Sequence, residues 1–162
     1  METILSLDQS ISSSGVCIFK KEELIHFECI KTSKKFGTDV ERISHITNSI
    51  MSLYSAHNCD HIICESLSFG SFGNATRTLG GLLFTLEVKF FEKYGLTEIK
   101  KVAPTQLKKF ATSNGKAKKT DMLDAVPDAI VEDFISAGYL KSKGLYDLCD
   151  AYHIGKWLIQ EK

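Results

Sequence analysis

Four carboxylates are notable for where they lie relative to the apolar segments of the chain. Asp8 follows the apolar run T-I-L-S-L, and Glu65 follows H-I-I-C. Asp147 and Asp150 are three residues apart near the start of the last predicted helix, a spacing that puts both on one helical face. If these elements are neighbours in the fold, the four carboxylates converge and repel one another unless cations are present.

Oxygen ligands without a cluster of histidine or cysteine favour magnesium or manganese over zinc. Two such ions about 4 Å apart clamp the attacking and leaving oxygens of a phosphodiester. We therefore predict that Asp8, Glu65, Asp147 and Asp150 are both metal ligands and catalytic residues of a magnesium-dependent nuclease, in which manganese substitutes. Singly, each acid is also typical of a turn, a helix start or a solvated surface, so the prediction depends on their convergence.

The apolar pattern predicts the elements that must bring these acids together. Short spacings indicate three strands in antiparallel hairpins over residues 3–7, 15–19 and 24–30. Helical periodicity over 39–57 and 74–94 alternates with apolar strands at 61–64 and 97–102, and helices follow over 104–111, 119–137 (interrupted by Pro127) and 145–160. We expect one α/β domain over residues 1–162, with a mixed five-stranded sheet flanked by helices. Asp8 and Glu65 would then lie at the carboxyl ends of strands, where ligands usually bind.

The net charge is zero, but the charge is unevenly distributed. Residues 99–119 contain seven lysines and no acid, which favours phosphate binding over a merely solvated basic face. The predicted DNA contacts are Lys108, Lys109, Lys116, Lys118 and Lys119, with Arg77 as a further candidate. Phe69 lies in a glycine-containing loop, where it either inserts between bases or packs inward, whereas Phe72 is expected to pack in the core.

Other features bound the class of protein. The five cysteines form no C-x-x-C pair and are expected to be buried reduced thiols. No apolar run is long enough to span a bilayer and no signal peptide is evident, so we expect a cytoplasmic protein without membrane contact. Gly80 and Gly81 in a predicted helix indicate close packing, either on a dimer partner or on the sheet. His153 is expected on the surface of the last helix.

Four segments resemble, in order, the motifs of RuvC-type Holliday junction resolvases. They are L-S-L-D-Q-S-I-S-S-S-G around Asp8, I-I-C-E-S around Glu65, V-A-P-T-Q-L-K-K-F-A-T-S-N-G-K-A-K-K, and D-L-C-D-A-Y around Asp147 and Asp150. Together they extend over nearly the whole chain, and the lysine-rich, arginine-poor usage is similar to that of phage members. The resemblance implies an RNase H-like fold, a homodimer, and paired nicking of four-way DNA junctions in recombination and repair. A phage-encoded member would act in the bacterial host cytoplasm.

The chain departs from this family in two loops. The first acid is followed by Gln9 and Ser10 rather than by Pro and Gly or Ser, and the loop after Glu65 differs in length and composition. Contacts to DNA bases in these loops therefore cannot be inferred from the family. We expect branched DNAs other than four-way junctions among the substrates as well. Two alternatives stay open: a catalytically inactive module that binds branched DNA, and a related RNase H-like nuclease acting on RNA. An actin-like or sugar-kinase nucleotide-binding protein is disfavoured, because no second glycine-rich phosphate loop is present.

Overall fold

The computed structural model describes residues 2–68 and 73–162. Five strands form one sheet: β1 (Thr3–Asp8), β2 (Ser13–Lys20), β3 (Glu23–Lys31), β4 (His61–Glu65) and β5 (Lys100–Val102). Their spatial order is β3-β2-β1-β4-β5. The first three strands pair antiparallel, whereas β1 with β4 and β4 with β5 pair parallel. This confirms the predicted mixed five-stranded α/β sheet, and β5 is shorter than expected because it pairs only with the last three residues of β4.

Six helices flank the sheet in the described residues: α1 (Asp39–Ala56), α2 (Asn74–Tyr94), α3 (Pro104–Thr112), α4 (Lys119–Asp124), α5 (Asp128–Ser136) and α6 (Leu145–Gln160). The segment 119–137 divides at Pro127, as its missing amide hydrogen requires, and Pro127 becomes the N-cap of α5. Gly95 ends α2 in the left-handed conformation. None of the helices that the structure describes is long and apolar enough to cross a bilayer.

The two faces of the sheet bury different helices. On β1, Leu5 and Leu7 point into the core formed with α1 and α2, while Ile4 points to the opposite face and packs with Ile154 of α6. Ser6, also on that face, donates a hydrogen bond from Oγ to the main-chain oxygen of Ala151 at 2.7 Å. This period-two alternation places α6 flat against the centre of the sheet, so the start of α6 reaches the end of β1.

The cysteines were predicted to be buried reduced thiols, and the structure agrees. All five are free thiols, and four of them are buried. Burial raises the pKa of Cys59, Cys64 and Cys149 to about 12, which keeps these thiols protonated. They therefore act as small apolar residues of the core.

Candidate active site and nucleic-acid interface

The structure brings the four predicted carboxylates to one edge of the sheet. Asp8 is the last residue of β1 and Glu65 the last residue of β4, and these strands are parallel neighbours. Asp147 and Asp150 come from the first two turns of α6. Burial raises the pKa of Asp8 well above its usual range, and the charges of Asp150, Glu65 and Asp147 raise it further. Glu65, Asp147 and Asp150 therefore all lie within electrostatic reach of Asp8, and all four residues are partly exposed.

Gly15 sets how closely α6 approaches this edge. It pairs with Asp8 across β1 and β2, and a Cβ atom at Gly15 would overlap the main-chain oxygen of Asp147. Only glycine leaves room for that approach. Ser13, two residues earlier, donates a hydrogen bond from Oγ to Oδ2 of Asp147 at 2.7 Å. The resemblance includes Gly15 in its first motif, but nothing in the sequence signals the partnership of Ser13 with Asp147.

Gln9 ties the first loop to the end of β4. Its side chain is buried, and Nε2 donates a hydrogen bond to the main-chain oxygen of Glu65. This hydrogen bond links the loop after Asp8 to the end of β4 and helps to hold Asp8 and Glu65 in register.

Burial, together with mutual repulsion, disfavours the ionised forms of the carboxylates in this site. Burial raises the pKa of Asp150 to about 7, helped by the charges of Glu65 and Asp147. Burial also raises the pKa of Glu65, while the nearby charge of Lys108 acts in the opposite sense. None of the ion pairs within residues 2–68 and 73–162 includes any of the four carboxylates. A bound cation would favour the ionised forms of these carboxylates.

The chemistry of the donors fits a hard divalent cation. All four are carboxylates, and Mg²⁺ and Mn²⁺ prefer oxygen ligands. As they stand, the side chains of the described part of the chain form no group of three or more His, Cys, Asp or Glu residues close enough to hold a metal ion. The metal site thus remains a prediction, supported by the charge and type of the donors.

A basic cleft opens beside two of these acids. It has a volume of about 400 Å³ and is lined by Glu65 and Asp150 on one side and by Lys108, Lys118 and Lys119 on the other. Lys108 comes from α3, whereas Lys118 and Lys119 come from the N-cap and first position of α4. Lys119 lowers the pKa of Asp8 and Asp150 through its charge, although burial outweighs it.

The other predicted DNA contacts are placed differently. Lys109 and Lys116 are exposed but do not line this cleft. Arg77 lines a separate groove between α1 and α2. Phe69 lies outside the described residues, as does Phe72. Three of the five predicted lysines are therefore grouped at the carboxylates.

The position of His153 differs from the surface position predicted from the sequence. The residue is buried, with 4% of its surface exposed, rather than lying on the surface. Its Nε2 lies 2.8 Å from the main-chain oxygen of Met122, because α4 covers this side of α6. Burial lowers the pKa of His153, which favours the neutral ring. Its contact with Met122 connects α4 to α6 and thereby positions the lysines of α4.

The structure resembles solved Holliday junction resolvases. RuvC from Thermus thermophilus superposes with a TM-score of 0.71 at 18% identity, covering 98% of this chain and 96% of RuvC. The same protein in complex with a Holliday junction substrate gives a TM-score of 0.69 at 19% identity, covering 95% and 90% of the two chains. The fowlpox virus resolvase, in complex with Holliday junction DNA, gives 0.60 at 17% identity, covering 98% and 97%.

The comparisons of sequence gave no match. No protein-family model matches the chain, and no curated protein does. In the structural comparisons the likeness extends over nearly the full length of both chains. The chain has the RNase H-like fold of the RuvC-type Holliday junction resolvases.

Proposed function

We propose that this protein is a metal-dependent endonuclease that nicks four-way DNA junctions and other branched DNA. The observation that carries the proposal is the convergence of Asp8, Glu65, Asp147 and Asp150 at one sheet edge, beside a cleft lined by lysines. Structures of two proteins with this fold contain Holliday junction DNA, which supports a branched substrate. A nuclease needs both components, since lysines bind the phosphate backbone and carboxylates hold the metal.

Each group has a defined task in this mechanism. Asp8, Glu65, Asp147 and Asp150 would hold magnesium, which supplies Lewis acidity for the attacking water and the leaving 3′-oxygen. The hydrogen bond from Ser13 fixes the orientation of the Asp147 carboxylate. The charge of Lys119 favours the ionised form of Asp8 and Asp150 that metal binding requires.

DNA binding is assigned chiefly to the lysines of the cleft. Lys108, Lys118 and Lys119 line it and contact the phosphates nearest the carboxylates. Lys109 and Lys116 are exposed beside it and contact phosphates further along the substrate. These lysines position the backbone, and their contacts carry no base specificity.

We also propose a homodimer formed through α2. Its core-facing side is buried, yet Phe84, Val88 and Phe91 on the opposite side are 69%, 43% and 56% exposed. The spacing of these three residues places them on one outward face. A helix that is apolar on both sides needs a second partner, and a second copy would supply the second active site that paired nicks require.

Gly80 and Gly81 of α2 do not provide evidence for this dimer. A Cβ atom on Gly80 would meet Leu67 at 3.7 Å, and one on Gly81 would meet Ile43 at 3.7 Å. Both distances are ordinary packing contacts within the chain. A Cβ atom would therefore fit at both positions, so packing within the chain requires glycine at neither, and the exposed apolar residues become the evidence for a partner.

The test is cleavage of an end-labelled four-way DNA junction, compared with a linear duplex of the same sequence and with a four-way RNA junction. Each reaction is run with magnesium and with chelator, using the wild type and Asp150→Asn. Asp133→Asn is a matched control, because it removes the same charge from an exposed position on α5. We expect paired nicks near the branch point only with magnesium and only from the wild type and the control.

Other outcomes separate the alternatives. Tight junction binding without cutting under any metal would establish an inactive binding module. Preferential cutting of the RNA junction would establish a nuclease acting on RNA. Both results would refute the proposed DNA endonuclease.

A further inference from the structure

A second basic groove lies on the other side of Lys119. It has a volume of about 270 Å³, and its charged lining consists of Lys31, Lys119, Lys141 and Lys143, with Asp147 as the single carboxylate. None of these four lysines forms an ion pair with another side chain in the part of the chain that the structure describes. The groove is therefore a concentrated positive patch without an internal counter-charge, as a polyanion requires.

The loop that carries Lys141 and Lys143 is fixed to the end of β3. Lys31 donates a hydrogen bond from Nζ to the main-chain oxygen of Lys143 at 2.8 Å. The Sγ of Cys29 lies 3.4 Å from the main-chain oxygen of Gly144, which it contacts as a donor. Gly144 has a φ of 101°, and a Cβ atom there would lie 2.6 Å from that sulfur. These contacts hold the loop, so its lysines are presented at a defined position.

A second contact of the same loop supports this arrangement. Tyr139 accepts a hydrogen bond at Oη from the main-chain nitrogen of Cys29 at 3.2 Å. The Nζ of Lys31 lies 5.8 Å from the centroid of the Tyr139 ring. Lys31 is thus positioned by both an aromatic ring and a carbonyl, while its ammonium retains donors for a ligand.

Lys119 connects this groove to the active-site cleft. It lines both depressions, and its Nζ lies 5.9 Å from the centroid of the Tyr146 ring, which also lines the groove. Asp150 lines the cleft and Asp147 lines the groove, and the two residues are three positions apart on α6. The carboxylates thus lie between two basic depressions, the arrangement expected for a strand that crosses the reaction centre.

We propose that the groove of Lys31, Lys141 and Lys143 binds the sugar-phosphate backbone of the cleaved DNA strand on one side of the scissile phosphate. The cleft of Lys108 and Lys118 binds the backbone on the other side, and Lys119 faces both. This inference rests on the proposed nuclease function, because it takes the four carboxylates as the point where the strand is cut.

The test compares two double variants in an Asp150→Asn background, which prevents cutting during binding measurements. Lys141→Gln with Lys143→Gln removes two charges from the groove, and both side chains are exposed. Lys20→Gln with Lys21→Gln removes the same charge at the opposite end of the sheet, since Lys20 pairs with Thr3 and Gly15 pairs with Asp8. Binding of a labelled four-way junction is measured from 50 to 200 mM salt.

We expect the groove variant to reduce the slope of log K against log salt by about 1.4 to 1.8, as loss of two phosphate contacts requires. The Lys20 and Lys21 control should leave the slope unchanged. Equal slopes for the groove variant and its parent would overturn the inference, as would an equal reduction by the control.

A second experiment uses uncharged phosphate analogues to identify which phosphates of the DNA contact the groove. Methylphosphonate linkages are introduced one at a time on either side of the nick position mapped with the wild type. On one side of the nick position, each methylphosphonate within reach of the groove should weaken DNA binding by the parent protein but not by the groove variant. Loss of the same size in both proteins at every position would overturn the inference. Failure of the wild type to cut any branched DNA would instead refute the nuclease function.

Discussion

Replacing Asp150 with asparagine should abolish cutting and yet stabilise the metal-free protein at alkaline pH. The folded state holds the pKa of Asp150 at about 7, against an ordinary value of 3.8, because of burial and the neighbouring charges of Glu65 and Asp147. A raised folded-state pKa means that the native protein binds a proton that the unfolded chain releases. Stability contributed by this group therefore falls as pH rises from about 4 to about 7.

The size of the effect follows from that shift. Each pKa unit corresponds to about 1.4 kcal/mol, so ionised Asp150 destabilises the native state by an amount on the order of 4 kcal/mol at pH 8. Asparagine removes the charge but keeps a partly buried polar group, and we expect it to recover about 2 kcal/mol of the free energy of unfolding. For a chain of this length, that raises the melting temperature by roughly 4–8 °C.

The assay is thermal unfolding of wild type, Asp150→Asn and Asp133→Asn at pH 5 and pH 8, with chelator and with magnesium. In chelator, the Asp150→Asn protein should gain stability over wild type at pH 8 and little at pH 5, where the wild-type carboxyl is protonated. Asp133→Asn should follow the wild type. Magnesium should raise the melting temperature of the wild type more than that of Asp150→Asn, because ligand binding stabilises only the state that binds it.

Two results would refute this reasoning. If Asp150→Asn is no more stable than wild type at pH 8 in chelator, burial and the neighbouring charges do not disfavour ionised Asp150 in the folded protein. If its gain is the same at pH 5 as at pH 8, the effect does not come from the charge of Asp150. Either result would remove the electrostatic argument for a metal site.

Three further predictions test separate parts of the structure. Gly15→Ala should lower the free energy of unfolding by about 1–3 kcal/mol and abolish cutting, because the added Cβ would displace Asp147. Unchanged unfolding in urea would contradict the close approach of Gly15 to Asp147. Lys108→Ala should reduce the salt slope of junction binding by about 0.9, whereas Lys20→Ala, at the opposite end of the sheet, should leave it unchanged. Equal effects of the two variants would show that the cleft does not define the interface. Phe84→Glu should convert the dimer into a folded monomer, measured by light scattering, and an unchanged mass would exclude the outward face of α2 as the dimer interface.

Local sequence was enough to place most elements, because periodicity and capping act within a few residues. The bounds of α2 and α6 agree with those predicted, and Pro127 divides the segment that it was expected to interrupt. The position of Asp8 and Glu65 at strand ends also follows from local pattern. Their convergence required only the further rule that strands separated by a helix pair in parallel.

The rest depended on how helices pack, which local sequence does not encode. Lys108 and Lys109 are adjacent in sequence, yet only Lys108 lines the cleft, because the rotation of α3 about its axis is set by its packing on α6. His153 is buried because α4 covers it, a contact between residues 31 positions apart. The sequence by itself determined which chemical groups the protein has and the elements that carry them. The tertiary structure alone decided which of them share a surface, because that depends on packing between elements distant in the chain.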